Sequence, residues 1–336
     1  MYYYKNRTKH FVNVNIVDGY SIVGPKEGEG KLHGTFDYSL KDDMFGQDNF
    51  ERAERKMFEH AISGAINKAN LNTCDVDAIL GGDLLNQIIS ASFSARKTHC
   101  GFLGLYNACG TFVESLIIGA NLISCGYENL LCVAGSHFST AERQYRYPLE
   151  LGVLRSPMTQ WTATGVGCSV LSNTCVKKCP KLVSATIGRV IDYGIMDVNN
   201  MGAAMAPAAQ DTLLAFFNDT RTSPRDYDTI YTGDLGKLGS EILNDLMKQE
   251  GYDISANHKD CGAQLYYEEQ QTYQGGSGAA CSAIVFNSSI LTELNKGQSK
   301  KILLVGTGAL MSPTTSFQGE SIPAIAHLVE VTGGQD

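Results

Sequence analysis

The sequence has no cluster of basic residues, no uninterrupted apolar run long enough to cross a bilayer, and no C-x-x-C pair. Each absence removes a class of protein. A formal net charge of −8 over 336 residues, without a Lys/Arg patch, gives no general affinity for nucleic acid. The start, MYYYKNRTKHFVNVN, lacks an apolar segment of signal-peptide length. The chain is therefore expected to be cytoplasmic, with any membrane association peripheral and made through partners. The most apolar region, FVESLIIGANLISCGYENLLCVAG, is interrupted by Glu114, Asn121, Gly126, Glu128 and Asn129. It reads as a buried helix and a buried strand, not as a membrane span. Without an export signal, the ten cysteines are expected to be reduced. Cys175 and Cys179 stand as C-x3-C with no second ligand pair, which argues against zinc. Most other cysteines lie in apolar runs such as LLCVAG and VGCSVL, where they act as small hydrophobes. Neither a metal nor a cofactor is expected.

What is present is a globular composition, 43% hydrophobic and 18% charged, long enough for one large domain or two halves. Met57, Ala61 and Ala65 beside Phe58, Ile62 and Ile66 give residues 51–69 a helical stripe. The pattern predicts further helices over 111–125, 208–218 and 238–250. It predicts strands over 77–82, 129–135, 165–172, 227–233, 300–306 and 324–331, hence an α/β fold with largely buried sheets.

The chain also repeats itself. DVDAILGGDL (75–84) aligns without a gap on DYDTIYTGDL (226–235), with Asp75, Asp77, Ile79, Gly82, Asp83 and Leu84 facing Asp226, Asp228, Ile230, Gly233, Asp234 and Leu235. Downstream, each half runs through a turn, a helix and a buried strand. Duplication explains this better than chance between common α/β units. In the first half the turn carries Cys109, just before the helix, where backbone N–H groups favour a thiolate.

A duplicated α/β half with a cysteine opening a central helix resembles the thiolase-like fold. That resemblance implies a five-layer αβαβα sandwich of two pseudo-duplicated halves, 1–180 and 181–336, with a pocket where they meet and a homodimer through the sheet edge beside the cysteine helix. The runs GPKEGEG, GGDLLNQ, YNACGT, GSHFSTAERQYRYP, MGAAMAPAAQDT, YTGDLGKLGS, DCGAQLYY, GGSGAACSA, GTGALMSPTT and IPAIAH, in this order, more narrowly resemble the stage V sporulation protein AD family of spore-forming Firmicutes. What this implies is non-enzymatic binding of dipicolinic acid (pyridine-2,6-dicarboxylate, free or as its Ca²⁺ chelate). The bound acid would be taken up into the developing spore alongside other stage V sporulation A membrane proteins, with the chain peripheral to the spore inner membrane.

The condensing enzymes of this fold pair their cysteine with a His and an Asn, or with a His and a second Cys, to stabilise an oxyanion and a carbanion. The corresponding loops here read TGDLGKL, with Asp234, and QGGSGAAC, with Gly275, Gly276 and Ser277. An ionised aspartate cannot donate to an oxyanion and opposes thiolate formation. His258 and Cys261 are the residues that loops would have to bring in for catalysis. The alternative, an active acyl-thioester condensing enzyme using Cys109, therefore lacks its partners. A scaffold with a vestigial pocket is the third reading.

A rigid aromatic dianion needs cationic or N–H donors and a flat apolar slot. The turns Cys109–Gly110–Thr111 and Gly275–Gly278, one from each half, are expected to offer helix N-termini to the two carboxylates. His137 is either a pocket-wall donor or a satisfied buried histidine. Arg143 and Arg146, with Tyr145 and Tyr147, either clamp carboxylate and ring or make structural pairs. Asp83 and Asp234 either flank the pocket or cap their turns. Met201 and Met205 are placed in a small-residue loop. The candidate ligand-binding set is Cys109, Asp83, Gly110, His137, Arg143, Asp234, Gly276 and Ser277, with no catalytic and no metal-binding residue.

Overall fold

The computed structural model describes residues 6–334 except Tyr147 and Val153. The first-half strands are β1 (Asn15–Val23), β2 (Ala78–Gly82), β3 (Gly101–Gly104), β4 (Asn129–Ser136) and β5 (Gly165–Ser172). The second-half strands are β6 (Lys181–Thr186), β7 (Thr229–Thr232), β8 (His258–Asp260), β9 (Lys301–Ala309) and β10 (Ala324–Thr332). They lie in the order β8-β7-β9-β10-β6-β1-β5-β4-β2-β3. Within each half the spatial order is third, second, fourth, fifth, first. The directions match as well. The second strand is parallel to the third and fourth, and the fifth is antiparallel to the fourth and the first. The halves join at a narrow seam, Asn15 against Lys181.

Helices α1 (Phe50–Lys68) and α2 (Ile89–Ala95) cover the outer face of the first half-sheet. Helices α5 (Met201–Thr220) and α6 (Gly236–Gln249) cover that of the second. Between the half-sheets lie α3 (Thr111–Ser124) and α7 (Ala279–Val285), with α4 (Phe138–Tyr145) at the loop end of β4. Helix α3 touches both β4 and β9, and Phe112 meets Phe286 with ring centroids 5.6 Å apart. The expected five layers are present, and three buried apolar clusters fill the gaps between them.

The local reasons are legible. Asn49 caps α1 by accepting from the Arg52 N–H, and the Met57/Phe58/Ala61/Ile62 stripe is buried. Two of the three repeated aspartate pairs keep one task in both halves. Asp75 and Asp226 accept from the N–H groups of Asn72 and Ser223. One oxygen of Asp77 takes the N–H groups of Glu128 and Asn129, and one of Asp228 takes those of Lys300 and Lys301. The sheet topology and these four caps carry the duplication into three dimensions.

Two expectations are corrected. MGAAMAPAAQDT is not a loop but the first part of α5, capped by Asn200 and held close to α6, where a Cβ on Gly202 would fall 2.4 Å from the Leu235 carbonyl. Cys175 and Cys179 are joined as a disulfide in the turn between β5 and β6, so the cysteines are not all reduced; the other eight are free. The turn brings their Cα atoms to 6.5 Å, within reach of a bridge. No helix among the described residues is long and apolar enough to cross a membrane, and no group of three or more His, Cys, Asp or Glu among them could hold a metal ion.

Candidate functional site

Cys109 sits on a tight turn entering α3. Ala108 adopts φ 47°, a costly left-handed conformation for a residue with a Cβ. Thr111 holds the turn: its hydroxyl accepts from the Asn107 N–H and donates to the Ala108 carbonyl. The turn lies against β9, where Gly306 and Gly308 permit the approach. A Cβ on Gly306 would fall 2.7 Å from Val113, and one on Gly308 3.0 Å from the Asn107 carbonyl. A second-half strand thus seats the first-half cysteine.

Opposite the thiol stands the turn before α7. The Cys109 sulfur is 3.9 Å from Ser277 Oγ. Ser277 Oγ donates to Asp234 Oδ2 at 2.9 Å, and the Gly278 N–H donates to the same oxygen at 3.1 Å. Asp234 Oδ1 accepts from Thr307 Oγ1 at 2.7 Å. Gln160 Nε2 bridges the carbonyls of Asp234 and Gly276. Burial and then the Asp234 carboxylate push the Cys109 thiol well above the ordinary range, against the smaller opposing effect of the Gly278 N–H. Burial also raises Asp234. The helix terminus alone would favour a thiolate, but low dielectric and a neighbouring carboxylate outweigh it. Cys109 is a wall residue whose thiol is held toward its protonated form and lies 3.9 Å from the Ser277 hydroxyl.

These residues border a pocket of about 60 Å³, lined by Leu84, Ala108, Cys109, Ala141, Glu142, Tyr145, Arg146, Thr162, Met201, Ser277, Gly278, Ala309 and Met311. Its one cation among the described residues is Arg146, buried and paired with Glu142 at 2.8 Å. Among the described residues no histidine lines it.

The structure brings Cys109, Ser277 and Asp234 together, with Gly110 behind the turn and Gly276 buried against Leu265 and Tyr266. It does not bring the other candidates to this pocket. Asp83 is fully buried and caps its own turn, accepting from the Leu85 and Ala91 N–H groups at 2.8 Å each. Burial raises its pKa to about 6. His137 is a satisfied buried histidine: Nδ1 accepts from the Ser139 N–H, Nε2 reaches the Asp43 carbonyl at 2.9 Å, and the ring packs on Phe50. Arg143 makes a half-exposed ion pair with Glu51. His258 bonds Thr232 and Asn244, away from the thiol. Met205 is core, whereas Met201 reaches the pocket. Tyr145 lines the pocket and donates to the Leu84 carbonyl; Tyr147 lies outside the described residues. The expected ring of helix N–H donors is largely spent, since the Gly278 N–H serves Asp234, the Ala280 N–H serves Ser136 and the Gly110 N–H serves Asn107.

Sequence reasoning missed Glu142, Thr162, Met311 and, just outside, Arg155. Glu142 had a signal, because it stands four residues before Arg146 on one helix face. Arg155 had none: it reaches Glu142 from a loop, at 3.6 Å.

Two half-sheets, two central helices between them and a cysteine opening the first of these define a thiolase-like protein. Solved structures agree. Xanthomonas campestris OleA E-to-Q and cerulenin-bound forms each superpose with a TM-score of 0.62 at 18% identity, covering 99% of this chain and 100% of that one in the first case, 96% and 98% in the second. The family is narrower than the fold. The chain belongs to the stage V sporulation protein AD family, whose model matches residues 5–332. The stage V sporulation protein AD of Bacillus subtilis (strain 168) is 43% identical over 317 residues, spanning 94% of this chain and 93% of that relative.

Proposed function

We propose that this chain is a non-enzymatic binding protein for dipicolinic acid that supports its uptake into the developing spore. The observation that supports the proposal is the company Cys109 keeps: the buried carboxyl of Asp234 lies one hydroxyl away through Ser277, and a carboxylate does not supply the oxyanion donor that acyl transfer needs. A thiol held protonated and a pocket without a histidine among the described residues do not suit acyl transfer. They do suit a small wall beside an apolar slot, and Arg146 offers a carboxylate a charged, forked donor.

Titration calorimetry with dipicolinate tests this reading, with and without Ca²⁺ to separate the free dianion from its chelate. Saturable one-site heat is expected; no heat in either form contradicts it. The enzymatic alternative predicts turnover of acetyl-CoA or acetoacetyl-CoA well above a Cys109→Ala control, which the proposal does not. We place the chain peripherally at the spore inner membrane, held by other stage V sporulation A membrane proteins, and as a homodimer. The open edge of β3, with Leu103 and Tyr106 exposed and Ile89 and Phe93 beside it on α2, supports the dimer. Light scattering that shows only single chains at micromolar concentration contradicts it.

A further inference from the structure

The Cys109 pocket, at about 60 Å³, has room for a few waters and does not enclose an aromatic ring with two carboxylates. A second cavity of about 210 Å³ adjoins it, and Glu142 and Arg146 border both. Phe138, Leu154, Arg155 and Thr159 also line this second space.

The shared wall has an unusual charge balance. Among the described residues, one carboxylate, Glu142, serves two guanidinium groups. Its Oε1 accepts from Arg146 at 2.8 Å and from Thr162 Oγ1 at 3.1 Å. Its Oε2 faces Arg155 at 3.6 Å, too long for a well-formed hydrogen bond. Arg155 also donates to the Gln160 carbonyl, but its Nε is buried without a hydrogen-bond partner among the described residues. A buried, unused guanidinium donor is costly unless something completes it. Beside Arg155 lies an aromatic surface: Phe138 and Trp161 stack with centroids 3.7 Å apart, and the guanidinium lies 5.6 and 5.1 Å from their rings.

We propose that the larger cavity is a carboxylate subsite in which Arg155 reads the second acid group of a ring dicarboxylate, while Arg146 holds the first. This rests on the reading above that the site takes dipicolinate, and it adds the residue that selects two carboxylates over one. The two guanidinium groups flank the two oxygens of one carboxylate, so they lie side by side. Carboxylates at the two and six positions of a pyridine project from one edge of the ring, so one can face each guanidinium. An incoming carboxylate completes Arg155, and the ring lies toward the Phe138 side of the cavity.

The test is calorimetry of the full chain with pyridine-2,6-dicarboxylate and pyridine-2-carboxylate, in the unaltered protein, Arg155→Gln and Arg155→Lys. A hydrogen bond to a charged group is worth enough to expect at least about a tenfold preference for the diacid in the unaltered protein. Arg155→Gln is expected to lower diacid affinity to near that of the monoacid and to leave monoacid affinity within about threefold. Arg155→Lys, which keeps charge but loses the fork, is expected to fall between them. Arg155 is partly exposed on a loop, and unchanged melting temperatures are expected to show that both variants fold. Diacid preference undiminished in Arg155→Gln overturns this inference alone. Binding of neither acid by the unaltered protein overturns the underlying reading and this inference with it.

Discussion

Asp83 and Asp234 end equivalent strands of the two halves, yet they do different work. Asp83 takes the N–H groups of Leu85 and Ala91 and never reaches the pocket. Asp234 turns toward Ser277, Gly278, Thr307 and the Cys109 thiol. The difference has a physical source on a neighbouring strand. In the second half, Asp260 at the end of β8 accepts from the N–H groups of Leu235 and Gly236, so Asp234 is released from capping its own turn. The matching strand of the first half, β3, ends in Leu103–Gly104 and offers no acid, so Asp83 has to cap. Upstream, the pairs Asp75/Asp226 and Asp77/Asp228 kept identical caps. The repeated segments share what folding needs and differ where they approach the pocket.

The largest expected effect that sharpens this contrast is on stability. Asp83→Ala strands two buried N–H donors beside a turn in which Gln87 and Ile88 hold φ 59° and 48°. At about 1–3 kcal/mol for each unsatisfied donor, it is expected to cost about 2–6 kcal/mol in urea unfolding. Asp234→Ala strands one backbone donor, since the Ser277 and Thr307 hydroxyls can turn to other acceptors, and is expected to cost less. Equal losses would erase the distinction. Asp83→Arg adds bulk to the turn that carries Leu84, a pocket wall, and is expected to weaken dipicolinate binding through that turn.

The chemical effect runs the other way. Asp234→Asn removes the charge that opposes a Cys109 thiolate, and each pKa unit recovered gives tenfold more thiolate. Iodoacetamide labelling of Cys109 at mildly alkaline pH is expected to rise about tenfold in Asp234→Asn and to stay unchanged in Asp83→Asn.

The two halves also share a pH signature. Burial raises Asp83 to about 6, and Glu27 and Asp260 to about 7. In each, the folded pKa exceeds the unfolded one, so the folded state holds protons that the unfolded chain releases. Their contribution is fully present below about pH 4 and is lost as pH rises through about 7. His258 and His327, which burial holds down at about 4, act with the opposite sign in the same window, so the acid contribution is read as a difference: the stability of the unaltered protein minus that of Asp260→Asn is expected to fall from pH 4 to 7. Acids held below their ordinary range, such as Asp226 under the Ser223 N–H, act with the opposite sign at lower pH and do not mask it. A difference that climbs from pH 4 to 7 contradicts the assignment. The smallest effect concerns the wall itself. Cys109→Ser keeps size and a weak donor and is expected to change dipicolinate affinity by less than about threefold, whereas Cys109→Trp overfills the smaller pocket, crowds the shared Arg146 and is expected to weaken binding by more than that.

Much of the fold was legible because it rests on local pattern. The Met57–Ile66 stripe, the apolar runs and the ungapped ten-residue repeat all correspond to the elements found. Helix α5 begins seven residues before its expected start, because Gly202, Ala203 and Ala204 carry no apolar periodicity and are helical through close packing on α6. The site was less legible. The repeat identified Asp83 and Asp234 as equivalent, and no sequence pattern showed that Asp260 would relieve one of them. His137 carried the right chemistry in the right loop, but its two nitrogens are taken by Ser139 and Asp43. Arg155 became visible only when its loop met Glu142 in three dimensions.

The central claim is that burial, reinforced by the second-half carboxylate, holds Cys109 as a wall residue and not as a nucleophile. The most direct measurement is the ionisation of that thiol, followed as the ultraviolet thiolate absorbance of the unaltered protein minus that of Cys109→Ala. The account predicts no Cys109 thiolate from neutral pH up to about pH 9, the ordinary midpoint of a cysteine, and an earlier onset in Asp234→Asn. A thiolate already formed at neutral pH in the unaltered protein would contradict it.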